Sequence, residues 1–157
     1  GLIGRRISLF ILEAGNWEGD YRHSIYRSFN HNVESVELRL GSRVIPQSRI
    51  RTESFSYGED SEMYMFVMDS LKHSLRRTQA YDMVTRRNWK QGGFIWSADT
   101  TVDQSADAGF RGTPQTGSGN LSIKFSSKTT SQLVLAVVLE STGELQIGAD
   151  GSVTLDE

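Results

Sequence analysis

The stretch Gly119–Gly143, GNLSIKFSSKTTSQLVLAVVLESTG, holds two β-strand patterns of different kinds. Apolar and polar residues alternate from Leu121 to Phe125, which is typical of a strand with one face in the core and one in water. Leu133 to Leu139 is apolar throughout, so this strand has no polar face. An antiparallel pair of this kind raises the question of what covers the second apolar face.

Several further strand patterns flank this pair, and turn residues separate them. Val33 to Leu40 alternates between apolar and polar residues, and Gly41-Ser42 predicts a two-residue hairpin turn after it. The next strand ends at Pro46, because proline cannot donate to a strand ladder. The other predicted strands are Arg5–Leu12, Gly92–Asp99, Glu144–Ile147 and Val153–Leu155, with a turn at Ala149–Gly151 between the last two.

One segment, Glu59–Leu75, has helical instead of strand spacing. Its apolar residues recur every three or four positions, with acidic residues in the first turn and basic residues at the far end, as the helix dipole favours. Glu13–Phe29 and Thr100–Ser118 lack a clean period and are predicted as long loops. Many short strands with one helix predict a mainly β protein: a jelly-roll β-sandwich of antiparallel strands with one inserted α-helix.

The length of 157 residues suits a single domain with its own core, spanning residues 1–157. The chain begins at Gly1 in mid-pattern, so we expect it to be part of a longer product. It has no cysteine, which excludes a disulfide framework, a cysteine-based zinc site and a thiol nucleophile. No apolar run reaches the length of a membrane span, and we therefore expect none.

Charge is unevenly distributed, although the formal net charge is only -2. Residues 72–90 hold six Lys or Arg against one acid, whereas residues 140–157 hold five acids and no Lys or Arg. These segments could be two solvated faces, complementary surfaces of neighbouring copies, or a basic surface near nucleic acid. Nucleic-acid contact has weak support, because no aromatic-rich stacking motif accompanies the basic segment.

The residues that could carry chemistry do not form a recognisable site. His23, His31 and His73 lack the spacing of a metal-ligand pair, and no Gly-x-Ser-x-Gly elbow occurs. Gly117–Asn120 lacks the Lys and Ser or Thr of a phosphate loop and leads into a strand.

The Thr-rich loop contains three spaced carboxylates, Asp99, Asp103 and Asp107, of a kind that could bind calcium. Their spacing misses the EF-hand pattern and no glutamate closes it, so turn capping by Asp side chains is the favoured interpretation. Taken together with the absence of a catalytic motif, this predicts a protein that is not an enzyme and has no cofactor and no metal.

Four motifs follow one another in the second half of the chain: FIWSADTTVD (Phe94–Asp103), GNLSIKF (Gly119–Phe125), LVLAVVLE (Leu133–Glu140) and LQIG (Leu145–Gly148). In this order they resemble the double-jelly-roll major capsid proteins of the Polinton/Maverick and adintovirus group. That family carries aromatic-x-Phe-Asp-Leu-Thr-Pro-Asp, Gly-Asn-Leu-Arg-Leu-Glu-Leu-Lys-Phe, Val-x-Val-Ile-Val-Tyr-Ala-Glu and Ile-Glu-Ile-Asp at the matching places. Departures are Val102 for the family's Pro, Val138-Leu139-Glu140 for Tyr-Ala-Glu, and Gly148 for the closing Asp.

The first half of the chain is similar to the same family, and its tyrosine-bearing helix falls on Met63–Leu71. Further matching places are Arg5-Arg6, Gly19-Asp20-Tyr21, Phe29-Asn30, Leu38–Gly41 and Pro46-Gln47-Ser48.

The resemblance covers most of the chain and corresponds to the C-terminal jelly roll of the family. It implies a capsid subunit whose trimers are pseudo-hexamers that tile an icosahedral shell. The implied partners are the chain itself as a homotrimer, neighbouring capsomers, and penton or minor capsid proteins. The implied location is the virion, with the host nucleus or cytoplasm during assembly. A domesticated copy of viral origin would fit the same resemblance.

The apolar strand supplies the interface candidates. We expect Leu133, Leu135, Val137 and Leu139 to face the core, so that Val134, Ala136 and Val138 face outward. A second sandwich could cover this outward face, and so could the helix of the same domain. Trp17 and Tyr21 in the first long loop are further contact candidates. Alternatively, the loop aromatics Trp17, Tyr21 and Tyr26 could make the chain a binding module for glycan or protein.

Overall fold

The computed structural model describes residues 2–19, 24, 27–47, 50, 61–77, 84–102, 106, 115–141, 144–147 and 153–156. Within these residues the chain forms ten strands and three helices. The strands are β1 (Leu2–Ile3), β2 (Arg6–Glu13), β3 (Val33–Leu40), β4 (Arg43–Ile45), β5 (Trp96–Asp99), β6 (Gln115–Thr116), β7 (Gly119–Phe125), β8 (Leu133–Glu140), β9 (Glu144–Ile147) and β10 (Val153–Asp156). The helices are α1 (Ala14–Trp17), α2 (Ser61–Arg77) and α3 (Arg86–Lys90).

Two three-stranded antiparallel sheets dominate the fold, with strand orders β5-β2-β8 and β4-β3-β7. Two smaller antiparallel pairs, β1–β6 and β9–β10, accompany them. This architecture confirms the prediction of a mainly β protein with antiparallel sheets and is consistent with a β-sandwich.

A single apolar cluster joins the two large sheets. Leu9 and Ile11 of β2, Val36 and Leu38 of β3, and Trp96 of β5 are all buried in it. The alternation of β2 and β3 explains this arrangement, because every second side chain of a strand points to the same face. Full burial of each such side chain contributes roughly 1.5–3 kcal/mol relative to exposure.

Helix α2 packs against β5 through a mixed apolar and polar contact. Met63 and Val67, four positions apart, are fully buried, as the spacing in the sequence predicts. The ring of Phe66 lies 6.2 Å from that of Trp96, measured between centroids. The predicted helix Glu59–Leu75 is thus present, although its first two residues lie outside the described part of the chain.

Helices α1 and α3 add to the single helix that the sequence predicted. Helix α1 occupies four residues at the start of a predicted loop and follows β2 directly. Helix α3 is capped by Thr85, whose Oγ1 accepts a 3.1 Å hydrogen bond from the amide of Asn88. Both are too short to display a helical period, so pattern analysis could not find them.

The predicted turn at Ala149–Gly151 lies outside the described residues.

The predicted hairpin at Gly41-Ser42 is present. Leu40 pairs with Arg43 directly across it, and Gly41 has a φ of 59°, a conformation that glycine adopts without steric cost. Arg43 also donates from Nη1 to the carbonyl of Thr100 (2.9 Å) and from Nη2 to that of Thr101 (2.8 Å). The hairpin of one sheet is therefore bound to the segment that leaves β5 in the other.

Candidate interaction surface on strand β8

Strand β8 lies at the end of the sheet β5-β2-β8. It pairs with β2 over eight consecutive residue pairs, from Arg6 opposite Glu140 to Glu13 opposite Leu133, without a register shift. Further bonds hold its two ends. The amide of Arg5 donates to the carbonyl of Glu140 (2.6 Å), and that of Ala14 to the carbonyl of Gln132 (3.0 Å). The position of β8 is thus fixed by a complete ladder along one side.

An ion pair reinforces the end of β8 that carries Glu140. Nη1 of Arg6 lies 2.6 Å from Oε2 of Glu140, and the two side chains are 2% and 49% exposed. A buried guanidinium needs a nearby acceptor because desolvation of its charge is costly. The Glu140 carboxylate therefore compensates the charge of Arg6 while its other side remains in water.

The core-facing side of β8 is only partly covered. Leu135, Val137 and Leu139 stand opposite Ile11, Leu9 and Ile7 of β2 and so share the core face, as expected. Yet they are 46%, 48% and 58% exposed, whereas the three β2 residues are buried. Of the β8 side chains on this face, Leu133 packs against the core cluster. Among the described strands β8 has a neighbour on one side only, which explains the difference.

The opposite face of β8 is also open at one point. Ser97 of β5, Ser8 of β2 and Val138 of β8 form one row across the sheet. Helix α2 sits over the first of these, because Oγ of Ser70 lies 3.2 Å from Oγ of Ser97. Val138, at the far end of the row, remains 53% exposed, so α2 does not cover it.

The remaining interface candidates have different positions. Val134 and Ala136 share the outer face with Val138 and are half-buried. Trp17 is 58% exposed on α1, a helix that contacts both β2 and β8. Tyr21 and Tyr26 lie outside the described residues.

The structure describes one of the three aspartates of the Thr-rich loop. Asp99 acts as a turn cap: its Oδ1 accepts from the amide (2.8 Å) and hydroxyl (2.5 Å) of Thr101, and its Oδ2 from the amide of Ala106 (3.0 Å). Asp103 and Asp107 lie outside the described residues. Both carboxylate oxygens of Asp99 are thus engaged by its own loop.

His31 is the histidine whose surroundings the structure defines best. Burial lowers its pKa from the ordinary 6.5, and the negative charge of Glu13 opposes this effect to a smaller extent. Its ring packs edge to face against that of Phe29, with 6.0 Å between the ring centroids. No group of three or more His, Cys, Asp or Glu residues could hold a metal ion within the described residues, and His23 lies outside them.

Comparison with known proteins identifies no relative of this chain. The chain matches no protein-family model, and no curated protein or solved structure matches it significantly. Among the helices that the structure describes, none is long and apolar enough to cross a membrane. What the described residues offer for function is therefore the partly exposed apolar surface of β8.

The sequence predicts one face of β8, with Val134, Ala136 and Val138, as the contact surface, and this stays a prediction. It did not include Leu135, Val137 and Leu139, whose exposure exceeds that of Val134 and Ala136. A signal was present, since an all-apolar strand that ends in an acid can be an edge strand as well as a buried one. Strand order, which decides between the two, cannot be read from the strand itself.

Proposed function

We propose that this chain is a structural subunit of a viral or virus-derived capsid, in which copies associate as trimers that tile a shell. The observation that carries the proposal is the half-exposed apolar surface of β8, with Leu135, Val137 and Leu139 on one face and Val138 on the other. Monomeric proteins rarely leave such contiguous apolar surface in water, and it usually marks a contact with another protein. The motif order that resembles double-jelly-roll capsid proteins supports the same function.

The strand pairing supports the jelly-roll part of this proposal. β2 pairs with β8, and β3 pairs with β7, so these two pairs are nested in the chain, whereas the short pair β1–β6 is not part of that nesting. A jelly roll needs pairing of this kind, because its strands come from a long antiparallel hairpin that folds over itself. Capsid subunits use such sandwiches as compact units that contact their neighbours through the side walls.

Burial of the β8 surface would stabilise an assembly appreciably. Apolar surface contributes about 25 cal/mol per Å² when removed from water, so a few hundred Å² yields several kcal/mol before the cost of association. In a capsid, that surface would be covered by the companion jelly roll or by a neighbouring chain. Both arrangements remove the exposed apolar strand from solvent.

Size-exclusion chromatography with light scattering, followed by electron microscopy, tests the proposal. The protein should elute as trimers or larger particles and show pseudo-hexagonal outlines. The double variant Leu135→Ser/Leu139→Ser should shift the population toward smaller species. Val102→Ser is the matched control, because Val102 is 80% exposed and lies outside β8. A wild-type protein that stays monomeric at high concentration contradicts the proposal.

A binding module for glycan or protein is the second candidate, and the exposure of Trp17 favours it. An exposed indole can stack on a sugar ring or insert into a protein pocket. A glycan array with the wild-type protein and Trp17→Ala separates the two functions. Saturable binding that Trp17→Ala abolishes would favour the binding module, whereas a shell-building subunit should bind no glycan.

A further inference from the structure

The second edge of β8, to which no described strand pairs, differs from the other edges of the two large sheets. Edge strands expose unpaired N–H and C=O groups, and proteins usually protect them with shortness, proline, lysine or a bulge. β4 is three residues long and is followed by Pro46. β7 carries Lys124, which pairs with Glu34 at 2.7 Å, and its register with β3 shifts between Val33 and Ser35.

None of these protective features occurs in β8. Its eight residues, Leu133–Glu140, contain no proline, glycine or lysine, and the eight pairs with β2 follow one another without a shift. Along the described part of the chain, β8 pairs through its backbone with β2 alone. Its second edge is therefore a regular, apolar template for another strand.

The pattern of exposure indicates how a partner would approach. Leu135, Val137 and Leu139 are half-exposed on the core face, and Val138 is half-exposed on the opposite face. A layer stacked on the sheet would cover one of these faces and leave the other in water. A strand added beside β8 brings side chains above and below the sheet, and so covers both faces at once.

We propose that this edge pairs with the β8 edge of a second copy, antiparallel and around a two-fold axis at Ala136. The inference rests on the proposed self-assembly and specifies one of its contacts. Around this axis Leu135 stands opposite Val137 of the second copy, Val134 opposite Val138, and Leu133 opposite Leu139. Apolar residues meet apolar residues on both faces of the continuous sheet. A two-fold contact relates chains in pairs, so it links neighbouring trimers and not the chains inside one.

The charges near β8 are compatible with pairing between the β8 strands of two copies. Leu133–Leu139 is uncharged, so two copies can be aligned along seven residues without a charge at the contact. With the axis at Ala136, Glu140 falls opposite the neutral Gln132 of the other copy, and the two acids are not opposed. Glu140 is already paired with Arg6 of its own chain, which further reduces repulsion between the copies.

Single-cysteine variants test the register directly, because the chain has no cysteine of its own. Ala136→Cys places two thiols opposite each other, with Cβ atoms about 4.5–5.5 Å apart, close to disulfide geometry. Val138→Cys is the matched control, because the two positions 138 are offset by four residues, roughly 13 Å. Mild oxidation should cross-link Ala136→Cys into a dimer and leave Val138→Cys uncross-linked.

A mixture of Val134→Cys and Val138→Cys provides an independent check, since these positions stand opposite each other across the axis. The mixture should form a heterodimeric cross-link that neither variant forms alone. Absence of the Ala136→Cys and mixed cross-links in a protein that elutes as an oligomer overturns the strand pairing and leaves the proposed function standing. Equal cross-linking of Ala136→Cys and Val138→Cys does the same. A strict monomer overturns both.

Discussion

Nη1 of the buried Arg6 donates a 2.6 Å hydrogen bond to Oε2 of Glu140, which joins the start of β2 to the end of β8. The same pair of strands is held by backbone bonds over its whole length, and the amide of Arg5 donates to the carbonyl of Glu140. The end of β8 that carries the most exposed leucine of the strand, Leu139, is therefore also the end with the strongest polar anchor. This anchor fixes the backbone of an otherwise open edge.

Replacement of Glu140 by glutamine should lower the free energy of unfolding by about 1–2 kcal/mol, because a buried guanidinium loses its charged acceptor. Glu37→Gln is the control. Its carboxylate lies 2.6 Å from Nε of Arg39, but that arginine is 63% exposed, so the loss should stay within about 0.5 kcal/mol. Urea denaturation measures both variants. Equal losses would show that the burial of Arg6 adds nothing to the pair.

Truncation of a leucine should cost more stability in the core than on the exposed strand β8. Leu9→Ala removes a fully buried side chain and should cost about 2–5 kcal/mol. Leu135→Ala makes the same chemical change on a half-exposed residue and should cost less than about 1 kcal/mol in the monomer. Thermal unfolding at a dilution where the protein is monomeric provides the comparison. A similar cost at both sites would mean that Leu135 is covered in solution.

The hairpin between β3 and β4 should depend on the backbone conformation of Gly41. A Cβ at this position would meet no atom within 4 Å, but the φ of 59° strains an L-residue. Gly41→Ala should therefore cost about 1–2 kcal/mol, and Gly41→Asn less, because asparagine tolerates this region better. Gly15→Ala is the control: it is equally uncrowded and has no positive φ. A loss with Gly15→Ala as large as with Gly41→Ala would rule out the conformational explanation.

Stability should fall in mild acid through His31. Its pKa in the folded protein lies below the unfolded value of 6.5, so the unfolded state binds the proton more readily. The neutral histidine thus favours the folded state above pH 6.5. This contribution to stability is lost as the pH falls below that value. His31→Asn, which suits the φ of 49°, should remove that part of the pH dependence.

The measurement for His31 is the unfolding free energy of wild type and His31→Asn at about pH 7.5 and about pH 5.5, the range in which histidine titrates. The difference between the two proteins should change with pH, while any constant offset reports the lost contact with Phe29. A difference that is the same at both pH values would contradict the assignment.

The strands could be predicted from the sequence where local pattern decides the structure. Val33–Leu40 forms β3 with the predicted bounds, because its alternation places apolar residues on one face. The prediction for Gly92–Asp99 was too long, and β5 begins only at Trp96. The preceding residues are held by other partners: the amide of Gly93 donates to Asn88, and the carbonyl of Ile95 accepts from the indole of Trp89. Tertiary contacts of this kind leave no periodic signal.

The candidate surface was predictable in part for the same reason. An uninterrupted apolar run identified β8, but its exposure depends on which strands lie beside it. Leu9 and Leu135 are the same residue type in two paired strands, yet Leu9 is buried and Leu135 is half-exposed. Their difference comes from strand order: β2 lies between β5 and β8, and β8 has a described neighbour on one side only. Strand order is set by long-range pairing that a single sequence does not display.

The two ends of the sheet β5-β2-β8 differ in a way that bears on aggregation. Trp96, Ser97 and Ala98 of β5 are completely buried, whereas Val137 to Leu139 of β8 are half-exposed. Amyloid fibrils grow because each added chain presents a new open edge to the next one. A sheet whose β5 end is buried and whose β8 end is exposed can pair with one further strand, at β8. After that pairing, this sheet has no exposed edge for another strand. In the proposed pairing, the same apolar strand that binds a second copy therefore also limits this sheet to two chains.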